Sequence, residues 1–220
     1  MVICKQYTGK CVPVSERTFD MEFIKYALSL VLGYLFGSVC VAVLFTRYKY
    51  REDVRDNGSG NAGATNVARV YGFKAGIITF LGDALKTVLS AVAGWLLAGE
   101  MGLVLGTAGA IVGHCFPVFF GFRGGKGVSV GAALALITDP VGGLMSLAVF
   151  AALAFSTRIV SLSSMIASGL FPVFCLLLGV RGPRLVLAIF GGALVVFMHR
   201  SNIRRLIRGE EKKFSPGKKK

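Results

Sequence analysis

Acidic residues are scarce in this chain, eleven Asp and Glu against twenty-five Lys and Arg. The resulting formal charge of +14 raises nucleic acid as a partner. A nucleic-acid face needs polar helices or base-stacking aromatics, yet the aromatics here are mostly Phe and lie inside apolar stretches, so that partner is set aside. Cysteine is sparse as well. Cys4, Cys11, Cys40, Cys115 and Cys175 are odd in number and lack metal-ligand spacing, which leaves no metal site to expect. Three of them fall in apolar segments and read as small core residues, whereas Cys4 and Cys11 can pair if the N-terminus faces outward. A basic-then-apolar leader is missing too, because residues 1–20 are mixed and polar, so no cleavable signal peptide is read there.

What the chain has is apolar sequence. More than half of its 220 residues, 54%, are hydrophobic and its mean hydropathy is +0.68, too apolar for a water-soluble domain of this length. An all-α, polytopic integral membrane protein is the expected class. Apolar runs lie at 22–46, 76–99, 101–120, 127–138, 141–156, 160–179 and 182–199. They predict about seven transmembrane helices, of which 127–138 and 141–156 are short for a span and fit a tilted or re-entrant pair closed at Asp139-Pro140. Residues 1–20 form a polar extension, 21–211 one membrane domain and 212–220 a basic tail. With the 47–75 loop on the cytoplasmic side, Lys and Arg concentrate in that loop, at Arg123 and Lys126, at Arg158 and from Arg200 onward. The positive-inside rule then puts the N-terminus outside and the C-terminus in the cytoplasm.

Four polar motifs fall on that cytoplasmic side. The first is Gly58-Ser59-Gly60-Asn61-Ala62-Gly63-Ala64-Thr65-Asn66. Its glycines let backbone N–H groups turn toward one point as an anion nest, with Ser, Thr and Asn adding donors. The formal Gly-x-Gly-x-x-Gly match is not a dinucleotide fingerprint, because no strand precedes it and no βαβ unit surrounds it. A flexible linker is the plainer alternative, but Thr65 and Arg69 are four apart and share a helical face. The second motif is Gly124-Gly125-Lys126-Gly127, which is not a Walker loop since Gly127 stands where Ser or Thr is needed. Glycines on either side of one lysine let a compact cation approach a phosphate closely. The third is Ser161-Leu162-Ser163-Ser164, and the fourth is His199-Arg200-Ser201-Asn202, whose His199 and Asn202 project from one face. Asp83 and Lys86, three apart within an apolar run, read as a structural ion pair.

This set, in this order, resembles the bacterial acyl-phosphate:glycerol-3-phosphate acyltransferase family, PlsY, over roughly residues 22–211. Gly113-His114 leading to Phe122-Arg123 and His199-x-x-Asn202-Ile203 belong to the same pattern. Two positions depart from it, Cys40 where the family often has Pro and Thr87 where Gly is common, and both concern helix packing. The resemblance implies a seven-helix enzyme of the bacterial inner membrane that moves a fatty acyl group from acyl phosphate to the 1-hydroxyl of glycerol 3-phosphate. Lysophosphatidic acid and phosphate are its products, in the first step of phospholipid synthesis. Ser59, Arg69, Lys126 and His199 are the expected catalytic group. Gly58, Gly60, Asn61, Gly63, Thr65, Asn66, Gly124, Gly125, Asn202 and one of Ser161 or Ser164, with Ser164 preferred, are expected to bind substrate.

The chemistry suits those residues, because an acyl phosphate already carries a good leaving group and needs mainly alignment and charge stabilisation. No cofactor is implied, and a monomer is the working expectation. The His-x-x-x-x-Asp dyad of other glycerolipid acyltransferases is absent, since Phe119 and Arg204 stand five positions after His114 and His199. His199 is therefore expected to bind or polarise while a substrate phosphate takes the proton. A transporter for phosphorylated metabolites is the competing reading, but such sites usually lie near the midplane between repeats, and no internal repeat is evident.

Overall fold

The computed structural model describes residues 2–4, 11–13 and 16–215. Helices account for nearly all of it. The only strands among the described residues are β1 (Val2–Cys4) and β2 (Cys11–Pro13), antiparallel with Cys4 opposite Cys11. Nine α-helices follow among the described residues: α1 (Glu16–Gly37), α2 (Val41–Tyr50), α3 (Ala64–Tyr71), α4 (Phe73–Cys115), α5 (Val128–Thr138), α6 (Pro140–Thr157), α7 (Val160–Leu177), α8 (Gly182–Met198) and α9 (Arg200–Ile207). Helix α1 begins at Glu16, inside the stretch expected as a polar extension.

The 43 residues of α4 do not form one rod. Ala98 and Gly99 leave helical geometry, and Gly99 takes φ 58° and ψ −140°, which a residue without Cβ accepts readily. The chain doubles back there. Gly94 meets Gly102 and Gly106 meets the Ser90 carbonyl, contacts that a straight helix would hold about 12 and 24 Å apart. The second limb of α4 then packs on α1, with Gly106 against Gly33, Ala110 against Gly37, and Gly109 and Gly113 against the Tyr34 turn. Small residues let two backbones approach closely where no hydrophobic force drives association in lipid.

The seven apolar runs are helical apart from a break at 38–40 and short ends beyond Cys115 and Leu177, and cross-links show which ends they share. At one end Arg184 bonds Glu100 at 2.9 Å and the Thr138 carbonyl at 3.3 Å, joining the α4 bend, the α5–α6 turn and the start of α8. At the other end lie the polar loops. Arg55 Nη1 reaches the Phe120 carbonyl at 2.8 Å, and the Phe214 N–H donates to the Arg158 carbonyl at 2.6 Å. Among the described residues, four helical stretches are long and apolar enough to cross a bilayer by length and composition, five if the 55° bent pair α8 and α9 is one span. The doubled-back α4 enters that tally once, and α5, at 11 residues, covers about 16 Å of a core about 30 Å thick.

Candidate active site

The glycine-rich loop is held from beneath by one amide. Asn66, fully buried in the first turn of α3, accepts the Ser59 N–H through Oδ1 at 2.8 Å. Its Nδ2 donates to the carbonyls of Val54 at 3.1 Å and Asn57 at 3.0 Å. Gly58, at φ 65°, comes so close to this side chain that a Cβ would strike Oδ1. Upstream, Asp53 caps the 3-10 turn Val54–Asp56 by accepting the Arg55 N–H at 2.9 Å. The Arg55 guanidinium beside it holds the Asp53 carboxyl down at about 2. Since the same Arg55 bonds the Phe120 carbonyl, the first loop is fastened to the second.

The second loop is fastened from the membrane side. Lys86 Nζ, itself buried with Asp83 and His114, lies 2.9 Å from Asp83 Oδ1, 2.7 Å from the Val39 carbonyl and 3.2 Å from His114 Nδ1. A buried cation among three polar partners is tolerable where a lone one would not be. The His114 carbonyl accepts the Gly125 N–H at 3.1 Å, and a Cβ on Gly124 or Gly125 would run into that carbonyl or the imidazole. These two glycines thus seat the loop on His114 and leave Lys126 projecting beyond it.

Lys126 Nζ donates to Asn202 Oδ1 at 2.5 Å. The Asn202 amide in turn donates to Glu211 at 2.6 Å, and the same carboxylate accepts from the Ser161 hydroxyl at 2.7 Å and from Arg205 Nε at 2.6 Å. Burial pushes the Glu211 carboxyl up, but the bonds from Ser161, Arg205 and Asn202 outweigh it and hold it below the usual carboxylate value. Burial, followed by the positive fields of Arg205 and Arg69, lowers Lys126 to about 8, with Glu211 opposing. His199, at the bend between α8 and α9, lies 2.7 Å through Nδ1 from the Val195 carbonyl. A carbonyl can only accept, so Nδ1 carries the proton and Nε2 of the neutral ring keeps its lone pair.

One cavity of about 500 Å³ gathers these groups. Gly58, Ser59, Asn61, Gly63, Thr65, Asn66, Arg69, Lys126, Ser161, Ser164, His199 and Asn202 line it, together with His114, Arg205 and Glu211. Gly60, Gly124 and Gly125 are not among the lining residues. The Asn66 amide is committed to the loop through its bonds to the Ser59 N–H and the Val54 and Asn57 carbonyls. Of the two serines, Ser161 enters the polar network, while the Ser164 hydroxyl bonds back to the Val160 carbonyl at 2.8 Å. Below this polar mouth the wall turns apolar, through Val128, Leu134, Leu147, Phe150, Phe171 and Val195.

Glu211 and Arg205 escape a reading of the sequence, which places His114 in the motif pattern but gives it no site role. Arg205 carries a signal, standing three residues after Asn202 on the same face of α9. Glu211 carries almost none, because it follows a positive-φ turn at Gly209 that brings the tail back under α9.

Residues 27–209 match the family described as glycerol-3-phosphate acyltransferase. This chain belongs to that family. It is 43% identical over 190 residues to the glycerol-3-phosphate acyltransferase of Syntrophomonas wolfei, covering 86% of this chain and 97% of the relative. The Rubrobacter xylanophilus enzyme is 42% identical over 188 residues, 85% and 94% of the two chains. The glycerol 3-phosphate form of PlsY (YgiH), an integral membrane glycerol 3-phosphate acyltransferase, superposes with a TM-score of 0.81 at 35% identity, over 86% of this chain and 96% of that one. Its lysophosphatidic acid form gives 0.78 at 34%, over 86% and 95%. The chain is therefore an integral membrane acyltransferase of phospholipid synthesis that acylates glycerol 3-phosphate, not a transporter.

Proposed function

We propose that the acyl donor is acyl phosphate and that the products are lysophosphatidic acid and inorganic phosphate, formed at the cytoplasmic face of a bacterial inner membrane. The observation that carries this reading is the shape of the charge. Cations and hydrogen-bond donors crowd the mouth of a cavity whose deeper wall is apolar, which suits an anionic head on a hydrocarbon tail. The related PlsY, solved with glycerol 3-phosphate and with lysophosphatidic acid, supports the acceptor and the product.

In this reading Ser59, Thr65 and the amides around Gly58, Gly60, Asn61 and Gly63 hold the acyl-phosphate head. Arg69, Lys126, Asn202 and Ser161 or Ser164 hold the phosphate of the acceptor. The 1-hydroxyl oxygen attacks the carbonyl carbon, the carbon–oxygen bond to phosphate breaks, and the electron pair leaves with phosphate, which takes the hydroxyl proton. His199 Nε2 accepts a hydrogen bond from the attacking hydroxyl and so aims its lone pair. Lys126 and Arg69 stabilise the charge that gathers on the carbonyl and leaving oxygens. No protein nucleophile is needed. The Lys and Arg that fill the loops at the site end support a cytoplasmic orientation under the positive-inside rule, with residues 21–211 acting as one domain and as a monomer.

Purified protein in detergent, given acyl phosphate and glycerol 3-phosphate, should release phosphate and lysophosphatidic acid in equal amounts. An intact preparation that uses only another acyl donor would refute the reading. His199→Ala should lower kcat by about a hundred-fold, and near-wild-type turnover with unchanged KM would remove His199 from it.

A further inference from the structure

We infer that Phe171 and Ser146 form the floor of the cavity's apolar limb and set the length of acyl chain that the enzyme transfers. The inference rests on the acyl-phosphate reading and adds the residues that measure the chain.

Ser161, Ser164, Ser168 and Phe171 all line the cavity from α7, and their spacing of three, four and three places them on one face. The ten residues from Ser161 to Phe171 correspond to about 15 Å of helix, so the limb runs from the polar mouth deep into the bundle. Across it, α5 contributes Val128, Leu134 and Ala135 before ending at Thr138. The shortness of α5 brings the α5–α6 turn in at the depth of Phe171. The phenyl ring then abuts that turn, with Cε2 3.6 Å from where a Cβ on Gly142 would sit. Asp139 caps this end of α6 by accepting the Gly142 N–H at 2.7 Å. Below Phe171 there is thus a capped helix end and packed side chains rather than further cavity. Phe171 itself is 3% exposed and packs with Leu134 and Cys175, so its ring cannot swing aside without breaking that cluster.

Ser146 lies one turn, about 6 Å, along α6 from Gly142. It lines the cavity, is buried, and its hydroxyl has no hydrogen-bond partner among the described residues. A buried hydroxyl without a partner is costly in a packed core. A small side chain at this position leaves room that a leucine would fill. Each methylene that finds room or loses it changes binding by about four-fold, enough to bias a mixture of chains that differ by two or more carbons.

The test uses the full chain in detergent, a graded series of saturated acyl phosphates supplied as one mixture, glycerol 3-phosphate, and mass spectrometry of the lysophosphatidate products. Phe171→Ala should raise the ratio of long-chain to short-chain product by about ten-fold or more, and Ser146→Leu should lower it by a similar factor. Because the ratio is internal to each reaction, loss of folded protein lowers all products together and leaves it unchanged. If Phe171→Ala yields no folded enzyme, Ser146→Leu alone decides. A wild-type ratio in both variants, or a shift in the same direction in both, would overturn the floor while leaving the donor intact. Wild-type protein that makes no product from any acyl phosphate would instead overturn the donor, and the floor with it.

Discussion

Replacing Asn66 by alanine removes three hydrogen bonds at once, those to the Ser59 N–H and to the Val54 and Asn57 carbonyls. Val54 is fully buried, so its carbonyl gains no solvent in exchange. At about 1 kcal/mol for each bond, the closed form of the glycine-rich loop loses about 3 kcal/mol. That is about a hundred-fold in its population against open forms. Because Asn66 presents its amide to the loop and not to the cavity mouth, the loss should appear as a fall in kcat/KM for both substrates together. Asn66→Asp makes the sharper comparison. It keeps the acceptor for Ser59 but turns a carboxylate oxygen toward two carbonyls, so it should be at least as damaging although it matches the shape. Kinetics with each substrate varied in turn, alongside thermal denaturation in the same detergent, form the assay. A folded Asn66→Ala enzyme with kcat/KM within three-fold of wild type would refute the bracing role. A rise in KM for one substrate alone would instead make Asn66 a direct ligand.

Glu211→Gln should raise KM for glycerol 3-phosphate by about five- to ten-fold, since the uncharged amide turns an N–H toward Arg205 and loosens Asn202 and Lys126; an unchanged KM would leave the tail outside the site. Lys126, lowered to about 8, is a cation below that pH and loses its charge above it, so KM for glycerol 3-phosphate should climb above about pH 8. Lys126→Arg should abolish the break, and a wild-type KM flat to pH 10 would contradict the assignment. Gly109→Leu would force a side chain into the backbone of Leu30 and Tyr34 on α1 and should destabilise the protein by about 1–3 kcal/mol or more, read as a lower melting temperature, with an unchanged one refuting the tight α1–α4 contact.

How far the sequence reaches differs from element to element. The apolar runs at 76–99 and 101–120 predict the break in α4 one residue from where Gly99 makes it, because a positive-φ glycine between two apolar stretches is a local signal. The α8–α9 bend at His199 is equally local. The four motifs announce themselves by composition, since small polar residues in a membrane chain have no burial reason to be there. The partner of each motif is another matter. Glu211 bonding Ser161 spans fifty residues, Lys126 bonding Asn202 spans seventy-six, and Arg55 bonding Phe120 spans sixty-five.

Hydropathy, helix periodicity and motif chemistry determined an all-helical membrane protein with an anion site at one end, because each depends only on neighbours along the chain. Tertiary structure decided that the Asn66 amide bonds the Ser59 N–H and the Val54 and Asn57 carbonyls. It decided that Gly124 and Gly125 exist to clear His114, that Ser161 joins the polar network ahead of Ser164, and that a short α5 ends the cavity at Phe171. Those assignments depend on which helix lies opposite which. In lipid that choice is made by close fit between glycine faces and by the need to pair every buried polar group, and neither is written in a local stretch of sequence.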